Sequence, residues 1–148
     1  MNRFLALLLL VPALAFAQKT PQGVTYDAKI LRITDGDTVV IAAPFLPAPL
    51  KPELAVRVFG VDTPEKGFRA QCESEKQRGE AASAFTKKAI ESAAATGGKF
   101  QATLYGWDKF GGRVLGDILV NGQSLRAALI ANGFAREYYG DAKQSWCN

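Results

Sequence analysis

Five residues carry the types that phosphate chemistry needs, and each falls where an apolar, strand-like run ends. Asp37 lies in "DGDT", Asp35 to Thr38; Arg57 precedes "GVDTPE", Gly60 to Glu65, which holds Asp62 and Glu65; Arg113 closes "WDKFGGR", Trp107 to Arg113. Carboxylates such as Asp37 and Asp62 suit a hard, oxygen-seeking cation such as Ca²⁺ or Mg²⁺. A glutamate beside that cation can take a proton from water. Two arginines can clamp a phosphate and stabilise charge developing on its oxygens. The combination suits hydrolysis of a phosphodiester. The chain has no histidine, which excludes a Ser-His-Asp triad and a His-ligated zinc.

Each piece alone also has a plain structural reading. Asp-Gly is a tight-turn signal, and Asp35-Gly36 reads as the turn, with Asp37 starting the returning strand. Asp62-Thr63 before Pro64 could form an Asx or ST turn, Arg57 could be a solvated outward residue, and "DKFGGR" a glycine-rich hairpin. Only their coincidence in one His-free chain makes the catalytic reading competitive.

The elements that must position these residues follow from the pattern. Five strand-like segments are visible: "GVTYDAKILRIT", "DTVVIA", "LAVRVFGVD", "KFQATLYGW" and "GRVLGDILVNG". In the third, Ala55, Arg57, Phe59 and Val61 share one face, and Val56, Val58 and Gly60 the other. Four prolines between Ala43 and Glu53 forbid regular pairing there. A helix lies between the third and fourth strands, with Ser74 and Gln77 at capping-box spacing, Ala81, Phe85 and Ala89 on one face, and Gly97-Gly98 as the stop. A second helix follows the last strand, capped by Ser124, with Leu125 and Leu129 on one face and Gly133 at its end. The fold class expected is α+β, and a five-stranded OB-type β-barrel with two to three packed helices is a natural closure.

The first 17 residues read as a cleaved secretory leader: Arg3, an apolar run from Phe4 to Phe16, and Ala15-Phe16-Ala17 as the cleavage site. Residues 18–148 then form one domain, exported to the periplasm or the medium, with no membrane insertion after cleavage and monomeric. The formal net charge of the chain is +4, compatible with a polyanionic partner. Two cysteines, Cys72 and Cys147, in an oxidising compartment suggest one disulfide, worth up to about 4–5 kcal/mol in the loop-entropy account.

"DGDT", "R-x-x-x-x-DTPE", "ASAFTKK" and "DKFGGR" resemble the staphylococcal nuclease (thermonuclease) homologue family, from about Tyr26 to about Tyr139 and in the family's order. The resemblance implies an OB-fold barrel with packed helices and a Ca²⁺-dependent nuclease acting on DNA and RNA, leaving 3′-phosphate and 5′-hydroxyl ends. It implies Asp37, Asp62 and the Thr63 carbonyl as metal ligands, Glu65 as general base, Arg57 as the residue that holds and polarises the phosphate, and Arg113 as the stabiliser of the transition state. Lys109, Phe110 and Tyr139 become substrate-binding positions, with Tyr138 adjacent to the last. Carboxylate and carbonyl ligation also admits Mg²⁺ or Mn²⁺. The chain departs from the family's pattern in three ways: two glycines, Gly111 and Gly112, precede Arg113 where the prototype has one; Phe110 replaces a tyrosine; and the tail stops at Asn148, with the Cys72–Cys147 bridge as a possible substitute for the lost anchoring. The alternative expectation is a catalytically inactive nucleic-acid-binding module of the same fold.

Overall fold

The computed structural model describes residues 21–147; the leader expected at 1–17 lies outside them. The first apolar segment forms a bent pair of strands, β1 (Val24–Asp27) and β2 (Ile30–Asp35). β3 (Thr38–Ala42) returns antiparallel to β2, and β4 (Glu53–Val58) returns antiparallel to β3. After the two-residue β5 (Val61–Asp62) and a 3₁₀ turn (Gly67–Arg69) comes α1 (Glu73–Ala95). β6 (Phe100–Trp107) and β7 (Val114–Val120) form an antiparallel hairpin. The chain ends in β8 (Gln123–Ser124), α2 (Leu125–Ala131), β9 (Arg136–Glu137) and a tail.

The strands pair in the order β1–β6–β7–β4–β3–β2, with β4 and β7 parallel. Only Ala28 and Lys29 separate β1 from β2. The Ala28 amide donates to the Phe100 carbonyl, and the Lys29 carbonyl accepts from the Ala42 amide. The pairing therefore begins and ends on one bent segment, and five segments enclose a core, as the OB-type reading expects. That core is Val39, Ile41, Leu54, Val56, Val58, Ala102, Val114 and Ile118, with Ile90 of α1 and Leu125 and Leu129 of α2. In β4, Leu54, Val56 and Val58 point inward, which leaves Arg57 on the outer face at the open end of the strand.

Three local readings are corrected. Asp35 is the last residue of β2 and pairs with Thr38, so the turn residues are Gly36 and Asp37. Gly36 has no positive φ; it serves close packing. A Cβ there would stand 2.8 Å from the Ala82 Cβ, and Thr86 Oγ1 donates to the Gly36 carbonyl at 2.7 Å. The cap of α1 is Cys72, whose Sγ accepts from the Glu75 amide, and not Ser74. The buried face of α1 runs through Gly79, Ala82, Thr86, Ile90 and Ala93, whereas Ala81 is exposed and Phe85 and Ala89 are half-buried. Apolar spacing misses that face because Gly79 presses on the backbone of Pro64 and Glu65, and Ala82 and Thr86 on that of Gly36, contacts that favour small and hydrogen-bonding residues over large apolar ones. Ser124 does cap α2, accepting from the Ala127 amide at 3.0 Å, and Asp117 of β7 accepts from the next free amide, Arg126, at 3.1 Å.

Candidate active site

The β2–β3 turn, the open end of β4, the loop after β5 and the β6–β7 hairpin meet around one cleft of about 150 Å³, lined by Asp35, Asp37, Arg57, Thr63, Pro64, Glu65 and Arg113, with Lys66 and Arg69 at its edge. Five of the residues singled out by type and motif therefore converge: Asp37, Arg57, Thr63, Glu65 and Arg113. Asp37 is buried; its Oδ2 stands 3.4 Å from Arg57 Nη2, and its Oδ1 accepts from Thr38 Oγ1 at 3.0 Å. The Asp37 carbonyl accepts from the Val58 amide at 2.8 Å, which locks the turn to the end of β4. Asp35, read as a turn residue, pairs with Arg69 at 3.1 Å and Lys66 at 3.6 Å. Arg69 also reaches Glu65 Oε2 at 3.1 Å, so it bridges the two carboxylates across the cleft edge.

Asp62 lines the adjoining cavity, together with Thr63, Glu65, Glu75 and the tail residues Lys143 to Trp146. It is 5% exposed. Its Oδ2 accepts from the Trp146 indole N–H at 2.9 Å. Its Oδ1 is buried, receives no directed hydrogen bond, and has Lys143 Nζ 2.6 Å away as an ion-pair partner. Thr63 and Glu65 line both cavities and join them. Asp37, Asp62 and Glu65 do not gather their ligand oxygens into one cluster; among the described residues three potential ligand atoms come together only at Cys72, Glu75 and Cys147, two sulfurs and one carboxylate. There the two sulfurs are bonded to each other, and the Glu75 carboxylate is committed to backbone amides, so that group is not a metal site. Asp37 at the cleft and Asp62 in the adjoining cavity are thus both buried carboxylates, and Glu65, 40% exposed in its side chain, lines both cavities. That donor chemistry fits a hard cation completing its shell with water, and the orphaned Asp62 Oδ1 already draws a cationic group.

The doubled glycine is absorbed inside the β6–β7 turn. Gly111 and Gly112 both take positive φ, 70° and 72°, a conformation open to glycine at little cost. Arg113 still reaches the cleft, and Asp108 of the same turn fixes it, with Arg113 Nε donating to Asp108 Oδ2 at 2.5 Å. Burial works against charge on Asp108, but the hydrogen bond and charge of Arg113 outweigh it and hold the carboxyl below the ordinary aspartate value. A depressed folded value contributes stability above the ordinary aspartate range and loses it as pH falls through the lowered one, so Asp108 is charged at neutral pH and its contribution is in place there.

Beside the cleft runs a groove of about 590 Å³ that shares Arg57, Glu65 and Arg113 with it and adds Trp107, Lys109, Phe110, Tyr138, Tyr139 and Lys143. The three expected substrate positions all lie here. Phe110 is exposed, with Lys109 Nζ 5.0 Å from its ring centre. Tyr139 is exposed and packs edge-on to Phe59, its hydroxyl accepting from Arg126 Nη2 at 2.6 Å. Tyr138 also lines the groove, so both tyrosines are available. Exposed aromatic faces interleaved with cations are a stacking surface for bases.

Cys72 and Cys147 form the expected disulfide, with Cα atoms 6.0 Å apart. Pattern reading missed Glu75, Asp108, Lys143 and Trp146. Glu75, 5% exposed, accepts from the Glu65 amide at 3.2 Å and the Gln71 amide at 2.8 Å, and so holds the loop that carries Glu65. Gly79 lets α1 approach this loop: a Cβ there would collide with the Glu65 carbonyl and stand 2.8 Å from that of Pro64. Alanine for glycine inside a helix normally stabilises by about 0.5–1 kcal/mol. Here Gly79→Ala is expected to destabilise by about 1–3 kcal/mol and to lower turnover by moving Glu65, read by urea unfolding alongside an activity assay.

A family model described as staphylococcal nuclease homologue matches residues 55–146. Among curated proteins none matches the chain. The match takes in Arg57, the "VDTPE" stretch, the β6–β7 hairpin and the tail, and begins after Asp37, whose membership of the site rests on its contact with Arg57.

Proposed function

The chain belongs to the staphylococcal nuclease homologue family, and from that premise we propose that it is an exported, metal-dependent nuclease hydrolysing phosphodiester bonds of DNA and RNA. The observation that carries the reading is the convergence of Asp37, Arg57, Thr63, Glu65 and Arg113 on one cleft that opens onto an aromatic, cation-lined groove. Asp37, Asp62 and the Thr63 carbonyl would hold the cation, with Ca²⁺ the first choice and Mg²⁺ or Mn²⁺ compatible with the same oxygens. When bound, it supplies Lewis-acid stabilisation of charge on the phosphate and its attacking water.

The chain's own residues do the rest. Arg57, on the shared wall of cleft and groove, binds two phosphate oxygens through its planar fork. Glu65, with its amide held by Glu75, accepts a proton from the attacking water. Arg113, oriented by Asp108, neutralises charge on the phosphoryl oxygens and the departing oxygen. Attack opposite the 5′ oxygen leaves 3′-phosphate and 5′-hydroxyl ends. Phe110 and Tyr139 stack the flanking bases, and Lys109 meets the backbone. Phe110 has no hydroxyl, so it contributes stacking without a hydrogen bond to phosphate. Residues 1–17 as a leader and the formed disulfide support residence in the periplasm or the medium, with residues 18–148 acting as one monomeric domain.

A second reading, nucleic-acid binding without hydrolysis, has one observation in its favour: tail residues engage both oxygens of Asp62. One assay separates the two. Hydrolysis of single-stranded DNA is expected with added Ca²⁺, Mg²⁺ or Mn²⁺ and is expected to stop in chelator. Hydrolysis that persists in chelator overturns metal dependence. Salt-sensitive binding with no cleavage under any of the three ions moves the chain to the binding class.

A further inference from the structure

The tail after β9 is exposed from Asp141 to Ser145 but is anchored against Asp62 at Trp146. Trp146 is 7% exposed and spends its only polar hydrogen on Asp62 Oδ2. Its ring carries the Arg136 guanidinium 3.7 Å from the centroid, and Arg136 Nη1 donates to the Ser145 carbonyl at 2.9 Å. Arg136 is itself the backbone partner of Asp62 in the β5–β9 ladder. The next residue, Cys147, is bonded to Cys72, whose sulfur caps α1 at the Glu75 amide, and Glu75 holds the amide of Glu65. One covalent link thus joins the frame of Asp62 to the frame of Glu65. The two oxygens of Asp62 are treated differently: Oδ2 takes the directed hydrogen bond of a buried indole, and Oδ1 takes only the ammonium of Lys143, a half-exposed side chain free to leave.

Resting on the metal-dependent reading above, we infer that the disulfide-stapled tail is a positioning element for Asp62. Trp146 is its orienting residue, and Lys143 a tethered counter-ion that a divalent metal must displace. The indole N–H fixes the carboxylate through Oδ2 and leaves Oδ1 as the oxygen that would meet the cation. Outer partners that orient a ligand typically affect metal affinity by about 10–100-fold. The Lys143 ammonium stands 2.6 Å from Oδ1, so it offsets part of the desolvation of a buried carboxylate and would compete with a metal for that oxygen. The two residues therefore act with opposite signs, which a merely structural tail would not produce.

The test is calorimetric titration of the full disulfide-bonded protein with Ca²⁺, without nucleic acid, and with thermal unfolding followed in parallel. Trp146→Phe keeps an aromatic face on a smaller ring and removes the donor; it is expected to raise the Ca²⁺ dissociation constant by about 10–100-fold. Lys143→Gln removes the competing charge and is expected to lower it. Reduction of the disulfide is expected to weaken binding, and by less in Trp146→Phe than in wild type, because both act through one link. A folded Trp146→Phe that binds Ca²⁺ within twofold of wild type overturns the proposal. If that variant does not fold, Lys143→Gln decides, and unchanged or weaker binding overturns it. A wild-type chain that binds none of Ca²⁺, Mg²⁺ or Mn²⁺ overturns the metal-dependent reading itself, and the inference with it.

Discussion

Glu65→Gln is expected to lower the turnover of single-stranded DNA by about 10²–10⁴-fold, the range a positioned general base supplies. The substitution keeps the shape of the side chain and removes its capacity to hold a proton. KM should change little, since glutamine can occupy the same space in the ground state, and the loss should fall on kcat. Stability should move by no more than about 1 kcal/mol, because among the described residues the only side-chain partner of Glu65 is Arg69, across a half-exposed ion pair of a kind that contributes little. Its backbone position does not depend on its own carboxylate: the amide is held by Glu75 and the carbonyl is packed against Gly79. The measurement is steady-state cleavage of a single-stranded oligonucleotide at saturating Ca²⁺, with a urea melt on the same preparation. A loss smaller than tenfold in a folded variant removes Glu65 from the role of base. In that event Asp35 cannot take its place without a rearrangement, since its carboxylate already serves Arg69 and Lys66.

How much of this was readable from residue order depends on the range over which each feature acts. The five strands and both helices announce themselves locally, through apolar runs and turn residues, and the ring they make follows from a bend at Ala28-Lys29 that no periodicity marks. The motif residues Asp37, Arg57, Thr63, Glu65 and Arg113 come together because each sits at a strand end on the same side of the ring. The supporting residues are different in kind. Trp146 meets Asp62 across a sequence separation of 84, and Glu75 resembles any acidic residue in the first turn of a helix, where a negative charge already suits the dipole. Their roles exist only in the folded contact. The misread face of α1 has the same origin: Gly79, Ala82 and Thr86 are chosen by backbone pressed against them, which appears in sequence as weak amphipathicity. The doubled glycine of the hairpin shows the converse. An insertion that threatened the register of Arg113 is taken up by two residues at positive φ, and Asp108 re-establishes the direction of the guanidinium.

Arg57→Lys is expected to cost about 10²–10³-fold in kcat, the loss associated with removing one preorganised donor to a developing oxyanion. The substitution preserves charge, so it asks whether geometry or charge is the requirement. Arg57 leaves β4 on its outer face, with the side chain one-fifth exposed, and lies on both the carboxylate cleft and the aromatic groove. Asp37 Oδ2, 3.4 Å from Nη2, holds one edge of the guanidinium; the rest of the planar fork remains to meet a phosphate through two parallel hydrogen bonds. A lysine ammonium can face Asp37 or the phosphate as a point charge and cannot span both. Folding should be nearly intact, because the strand buries Val56 and Val58 on its other side and the Asp37 pair survives with lysine. The result to compare is Arg57→Ala: if lysine restores most of the activity lost with alanine, charge alone suffices and the bidentate role of Arg57 is wrong. If lysine and alanine are about equally impaired while both bind Ca²⁺ as wild type does, the fork itself is the catalytic element. A parallel rise in the Ca²⁺ dissociation constant for alanine alone would mean instead that Arg57 acts mainly by holding Asp37 in place.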